Sequence, residues 1–448
     1  MASTDLQIHL SASESATTLT DQLSLHLSQS WDQVPSPKMR PSERTGIYTW
    51  TRLYSAFSES FALEALRILC PSNHDVLLDP FAGAGTTLVA AVKLGVPAIG
   101  VDLDPFSALL ASASVATEAH PERVFQLLKG RTPSRTSTPK GGAPQLLRDS
   151  DLQYARGVFD RIRESQTDNQ HLWADLLANA HHTFDSELVA LAALGVASNL
   201  SANMERGSNP VWYRRLPPGE TAKRPQLNAA ARGVARLILA DLARLASSRH
   251  CARVSVLNED FRSVALPDSS VDLVLTSPPY LNRLDYVVNH LAPLTLLSSF
   301  IPVELDNLRE EMMGTTIVVK TDQPDARWGE TCLRTLSSVF SHPSKASATY
   351  YYWNYLHYFA DLFRILAQLK RLCRPSARGV VVLQNSYYKE LEVPAQMILC
   401  EMSQGLGIDA RIIRTEKVRA HLGTISPRQN RYNTSKVLAE SIISLAFQ

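Results

Sequence analysis

Residues 75–104 read DVLLDPFAGAGTTLVAAVKLGVPAIGVDLD, and their patterning sets the fold. The run DVLLDP has the length and continuous apolarity of a buried strand, TTLVAAVKLG is a helix that stops at Gly95, and PAIGVDLD is a second strand. Two strands joined by a helix in so short a span form a βαβ unit, which implies a parallel sheet. Between the first strand and the helix, Gly83 and Gly85 stand where a chain must turn tightly and let a ligand approach its backbone. A nicotinamide-dinucleotide site and a ligand-free glycine turn share that pattern. Asp102 ends the second strand, where a carboxylate can accept hydrogen bonds from a ribose diol.

Outward from this unit the α/β pattern is interrupted and then resumes. Upstream, SESFALEALRIL (58–69) places Phe61, Ala62, Ala65, Leu66 and Leu69 on one helical face. Residues 1–45, rich in Ser, Thr and Pro with weak periodicity, are expected to be a loose arm. Residues 131–145, RTPSRTSTPKGGAPQ, have the composition of an exposed linker, and residues 152–246 are dominated by helical periodicity around a Pro- and Gly-bearing stretch at 207–225. ARVSVLNED and SVDLVLTSP then read as strands, YYYWNYLHYFADLFRILAQLKRLC as a long helix, and GVVVLQNS and VLAESIISLAF as strands. The aromatic run at 350–359 could stack bases, but at helical spacing it is expected in the core.

Composition narrows the function. The chain has 448 residues, 45% of them hydrophobic and 20% charged, enough for a large core. Its 45 basic and 43 acidic residues nearly cancel, so a polyanionic partner must be held by local clusters. The five cysteines form no CxxC pair, which points to reduced structural thiols and no metal. Without a signal-like start or a long apolar run, the chain is expected to be soluble and intracellular.

The segment TSPPY, residues 276–280, follows the apolar strand VDLVL and carries the chemistry. An aromatic amine is a poor nucleophile because its lone pair is delocalised, so an enzyme must hold it with the lone pair aimed at an electrophile. The Ser277 hydroxyl and the Pro278 carbonyl can accept its two N–H bonds, and Tyr280 offers a stacking face. Pro278 and Pro279 stiffen the loop so that the acceptors are in place beforehand. Asp260, also at a strand end, can accept from a purine amino group.

With these segments in order, the chain resembles the DNA amino-methyltransferases that have the Rossmann-like methyltransferase fold. DPFAGAGTT (79–87) is similar to their motif I, Asp102 to the motif II acid, Asp260 to the motif III acid, and TSPPY to the motif IV catalytic loop. Serine at the first loop position is characteristic of cytosine-N4 enzymes; adenine-N6 enzymes usually carry Asp there. LNRLDY (281–286), with Arg283, is similar to modification methyltransferases of restriction systems. The resemblance spans residues 45–115 and 250–448, and its motif order excludes the circularly permuted arrangement. Where motif X falls, YSAFSESF (54–61) has Phe57 in place of the lysine of many relatives.

The resemblance implies an α/β fold with a mostly parallel twisted sheet, helices on both faces and a helical insertion. Residues 46–120 and 250–448 would form the methyltransferase domain, and residues 146–249 the insertion, a candidate target-recognition region. It implies S-adenosylmethionine held by Asp79, Phe81, Gly83, Gly85, Thr86, Asp102 and Asp260, with Ser277, Pro278, Pro279 and Tyr280 catalytic. The partners implied are double-stranded DNA and a cognate restriction endonuclease in a prokaryotic cytoplasm, with no membrane. Two basic stretches are candidates for the nucleic-acid surface: 206–224, with Trp212, Tyr213, Arg214 and Arg215, and 411–436, with Arg428 and Arg431. Methylation of cytosine C5 is set aside, because that chemistry uses a nucleophilic cysteine after a proline and no cysteine here follows one. Methylation of structured RNA or, less favoured, of a protein amide, and a non-catalytic DNA protein that binds the same cofactor, are the competing readings.

Overall fold

The computed structural model describes residues 31–51, 57–69, 72, 74–130, 146–164, 172–178, 182–206, 213–217, 220, 223–247, 252–282, 284–418 and 436–448. The core is a seven-stranded sheet. Its strands are β1 (Leu77–Asp79), β2 (Ala98–Val101), β5 (Val254–Leu257), β6 (Val271–Thr276), β7 (Cys373–Gln384), β10 (Ile408–Lys417) and β11 (Ala439–Phe447), in the spatial order β10-β11-β7-β6-β1-β2-β5. Two small antiparallel pairs stand apart from it: β3 (Met204–Arg206) with β4 (Tyr213–Arg215), and β8 (Ser386–Tyr388) with β9 (Leu391–Val393). Neighbours from β7 to β5 are parallel, while β11 runs antiparallel to both β7 and β10. This is the expected α/β arrangement, a mostly parallel sheet with one reversed strand.

Side-chain alternation along the strands feeds two cores. Leu77, Leu273, Leu275, Val380 and Val382 point to one face; Leu78, Val274, Val381 and Leu383 point to the other. The first face is covered by α1 (Glu59–Leu69), α2 (Thr86–Leu94), α3 (Pro105–Ala113), α4 (Pro121–Leu127) and the helical block α5 (Asp149–Glu164), α6 (Leu172–Ala178), α7 (Asp185–Ser201) and α8 (Leu227–Ala246). α9 (Leu291–Leu297) joins that side. The second face is covered by α10 (Glu330–Ser341), α11 (Tyr352–Leu372) and α12 (Ala395–Gly405). In α1 the five apolar residues expected on one face are all buried, and α2 ends where Gly95 turns left-handed at φ 73° and its N–H returns to Ala91 and Val92.

Two expectations are revised by packing. Residues 31–45 are not a loose arm: Trp31 is 3% exposed and Val34 6%. The Arg414 guanidinium on β10 donates to the carbonyls of Trp31, Val34 and Pro35 at 2.6–3.0 Å. Residues 1–30 lie outside the described part. The helical block shares its core with the sheet, because α7 is buried along nearly its whole length against α3, α4, α8 and α9. The Trp50 indole also donates to Asp241 on α8 at 2.6 Å. The aromatic run does what its spacing predicts: Tyr355, Tyr358 and Phe359 are buried, and a π-helical turn at Ser347–Tyr351 precedes α11. The start of the carboxy-terminal basic run, residues 411–417 with Arg411 and Arg414, is strand β10, which the periodicity did not reveal. Among the described residues no helix is long and apolar enough to cross a membrane.

Candidate active site

The sheet order reverses at β1. Its chain successor β2 lies on one side and β6 on the other, so the loops leaving their carboxyl ends diverge and open a crevice. A cleft open to solvent lies there. Phe81, Gly83 and Asp102 line one wall, Asp260 and Phe261 one end, and Ser277 and Pro279 the facing wall. Motifs far apart in sequence thus meet in one space.

The glycine loop divides its expected residues by role. Phe81 and Gly83 face the cleft. Gly83 has φ +53°, and a Cβ built there meets nothing closer than Phe81 O at 3.8 Å, so a side chain would project into open space. Gly85 is required for a different reason: at φ +90°, a Cβ would fall 2.3 Å from Ser114 Oγ and 3.0 Å from Ala111 Cα, so its constraint is contact with α3 and not with a ligand. Asp79 and Thr86, expected to touch the cofactor, are turned inward. Asp79 is 2% exposed and accepts from Thr276 Oγ1 at 2.6 Å and from the Phe81 N–H at 3.1 Å. Burial pushes its carboxyl above the usual range. The Thr86 hydroxyl accepts from Tyr48 at 2.9 Å. Asp79 therefore ties β1 to the start of the TSPPY loop.

Asp102 remains at the cleft. Its Oδ2 accepts from the Gly83 N–H at 2.8 Å and its Oδ1 from the Asp104 N–H at 3.0 Å. Burial, with repulsion from Asp104 second, pushes its pKa up to about 7. Asp104 is itself saturated: it caps α3 through the Phe106 N–H, accepts from Ser107 and pairs closely with His290. Asp260 caps the turn Phe261–Ser263 and is gripped side-on by Arg262, with Nε and Nη2 at 2.9 and 2.6 Å. Arg262 also reaches Asp361 at 2.6 Å and the Glu311 carbonyl at 2.7 Å, which fastens the segment Glu311–Met313 beside the cleft.

The TSPPY loop is braced from three sides. Tyr358 on α11 donates to the Pro279 carbonyl at 2.9 Å, and Ser386 on β8 donates to the Leu281 carbonyl at 2.5 Å. Tyr280 donates to Glu440 Oε1 on β11 at 2.6 Å, while Ser277 Oγ lies 3.4 Å from the Tyr280 oxygen. Ser277 and Pro279 line the cleft, whereas Pro278 is buried beneath them. The arrangement offers a small hydroxyl and a stiff backbone opposite a polar pocket with a carboxylate, the geometry for holding an amino group against a cofactor.

A DNA methylase family model of the N6/N4 type matches residues 8–112. Over 443 residues the chain is 23% identical to the Type II methyltransferase M.BsoBI of Geobacillus stearothermophilus, covering 87% of this chain and 84% of that protein. A local stretch of 41 residues is 44% identical to the Type II methyltransferase M.MjaII of Methanocaldococcus jannaschii, covering 9% of this chain and 8% of that one. In these matches the chain is similar to DNA amino-methyltransferases. Its methyl donor is S-adenosylmethionine. The rRNA methyltransferase aviRa of Streptomyces viridochromogenes aligns over 87% of this chain and 86% of its own, with 13% identity and a TM-score of 0.28.

The candidate nucleic-acid residues are reached only in part. Trp212, Arg283, Arg428 and Arg431 lie outside the described residues, while Tyr213, Arg214 and Arg215 form β4, paired with β3. Motif X is reached from Phe57 onward. Phe57 is 7% exposed and packs edge-on against Phe61, so it serves the core. Sequence reading missed Tyr286, Met312, Met313 and Ile365, which line the cleft, as well as Arg262 and Glu440. Arg262 had a local signal, an arginine two residues after a turn-capping aspartate. The others arrive by tertiary packing alone.

Proposed function

We propose that the methyltransferase modifies the N4 amino group of cytosine within a specific DNA sequence, as the modification partner of a restriction endonuclease in a prokaryotic cytoplasm. The observation that carries this reading is that Ser277 lines the same cleft as Gly83 and Asp102. A serine there accepts one amino N–H without adding a second negative charge. The pocket suits the donor: Asp102, whose carboxylate burial disfavours, gains most from hydroxyl donors such as a ribose diol, and the bare Gly83 leaves room beside it. Asp260 and Phe261 close the adenine end, with Asp260 shared between Arg262 and an amino group. When bound, the donor supplies an electrophilic methyl group. The protein holds the amine in line with it and excludes water, so catalysis is mainly positioning. The two relatives named as Type II methyltransferases support the restriction–modification assignment.

A paired, stacked cytosine must leave the helix to reach Ser277, at a cost of a few kcal/mol. Trp212, Tyr213, Arg214, Arg215, Arg283, Arg428 and Arg431 are proposed to track the DNA backbone and the extruded base. The test is single-molecule sequencing of host DNA with and without the gene, with detection of modified bases. The expected result is N4-methylcytosine at one recurring sequence; N6-methyladenine, or unmodified DNA with methylated structured RNA, would overturn the assignment.

A further inference from the structure

The hydrogen bonds behind Ser277 run in one direction. Ser277 Oγ donates toward the Tyr280 oxygen at 3.4 Å, and Tyr280 donates to Glu440 Oε1 at 2.6 Å. A hydroxyl that spends its proton backward presents its lone pairs forward, into the cleft. The chain ends at a carboxylate whose second oxygen, Oε2, is buried with no hydrogen-bond partner among the described residues. An unsatisfied buried carboxylate oxygen is costly, so its retention calls for an explanation. Two groups face Glu440 beside Tyr280. Glu416 lies directly across on β10, paired with Arg414 and accepting a hydrogen bond from Ser36, and Lys38 comes from the amino-terminal stretch. Burial pushes the Glu440 carboxyl above its ordinary range.

Methyl transfer needs such an acceptor. As the amino nitrogen bonds to the methyl carbon, the carbon–sulfur bond breaks and its electron pair stays on sulfur. The nitrogen then carries one proton too many, and that proton must leave. We propose that Glu440 is a positioning residue for methyl transfer, which through Tyr280 fixes Ser277 Oγ as an acceptor toward the amine and receives, by hops along Ser277 and Tyr280, the proton the amine sheds. This rests on the amino-methylation reading above, and it adds a group from β11, outside every motif recognised in the sequence.

Two variants separate proton uptake from mere support. Glu440→Gln keeps an amide oxygen to accept from Tyr280 and removes the base; Glu440→Asp keeps a carboxylate. Single-turnover rates across pH are measured on whichever amino-bearing base the wild type modifies, together with cofactor affinity and the ¹³Cζ resonance of Tyr280 in the tyrosine-labelled full chain. Wild-type rate is expected to climb with pH as Glu440 ionises and then level off, with the Tyr280 resonance titrating in step. Glu440→Gln should lose both the climb and the titration and fall roughly 10²-fold at the plateau, with cofactor affinity within about twofold of wild type. Glu440→Asp should restore the climb. A wild-type rate profile in Glu440→Gln, or equal losses in both variants with no Tyr280 titration in the wild type, would overturn the proposal. Should Glu440→Gln fail to fold, Tyr280→Phe breaks the same link and must abolish the climb. An adenine or RNA product would overturn the cytosine assignment and leave this comparison standing.

Discussion

The two walls of the cleft are built in opposite ways. The wall proposed to hold the donor is nearly contiguous: Phe81, Gly83, Asp102 and Ser107 belong to one strand–helix–strand–helix unit and hold each other through local bonds such as Gly83 N–H to Asp102. The wall proposed to hold the base is assembled from remote pieces, with the TSPPY loop braced by Tyr358, Ser386 and Glu440 and the side closed by Met312 and Met313. A wall made of one segment can be read from that segment. A wall made of five cannot, because only the folded chain brings the braces to the loop.

If the walls divide the labour, substitutions on the base wall should act on turnover and those on the donor wall on cofactor affinity. The largest effect is expected at the loop. Ser277→Ala and Tyr280→Ala should each lower kcat by roughly 10²-fold or more, with cofactor affinity by calorimetry close to wild type. Full turnover in either variant would erase the proposed division. On the opposite wall, Asp102→Ala should weaken S-adenosylmethionine binding by about 1.5–3 kcal/mol, because charge-assisted hydrogen bonds are lost.

Asp102 also predicts a pH dependence. Burial pushes its carboxyl up to about 7, and only the ionised form accepts from both hydroxyls of a diol. Cofactor affinity should therefore fall as pH drops through that value and hold steady above it. Asp102→Asn should flatten the dependence; a persistent slope would place its origin elsewhere. The smallest effect is expected at Asp79, which ends the neighbouring strand yet faces inward. Asp79→Ala strands the Thr276 hydroxyl and the Phe81 N–H and should cost about 1–3 kcal/mol of stability in thermal or denaturant unfolding. Cofactor affinity of the folded fraction should change by less than about twofold. A large affinity loss there would return Asp79 to the ligand.

The comparison of Asp79 with Asp102 marks where sequence reading stops. Both are strand-end acids flanking one glycine loop, and nothing in their immediate neighbours distinguishes the buried tie from the open acceptor. The difference comes from Thr276, almost two hundred residues away, which claims Asp79. The βαβ unit, the long helix and the TSPPY loop were legible because period and turn chemistry are local. β10 was not, since its charged residues Arg411 and Arg414 mask strand alternation, and Arg414 is spent anchoring Trp31, Val34 and Pro35. Glu440 had no signal either: an acid at the start of a strand is ordinary until a tyrosine from another loop points at it.

The reversed strand β11 has a consequence in time. Parallel strands finish at the cleft, but β11 starts there, so its Glu440 meets Tyr280 across 160 residues of sequence. On a ribosome adding about 5–20 residues per second, the loop exists for roughly ten to thirty seconds before its brace does. A nascent chain could already have formed its donor wall while its base wall still lacked a keystone.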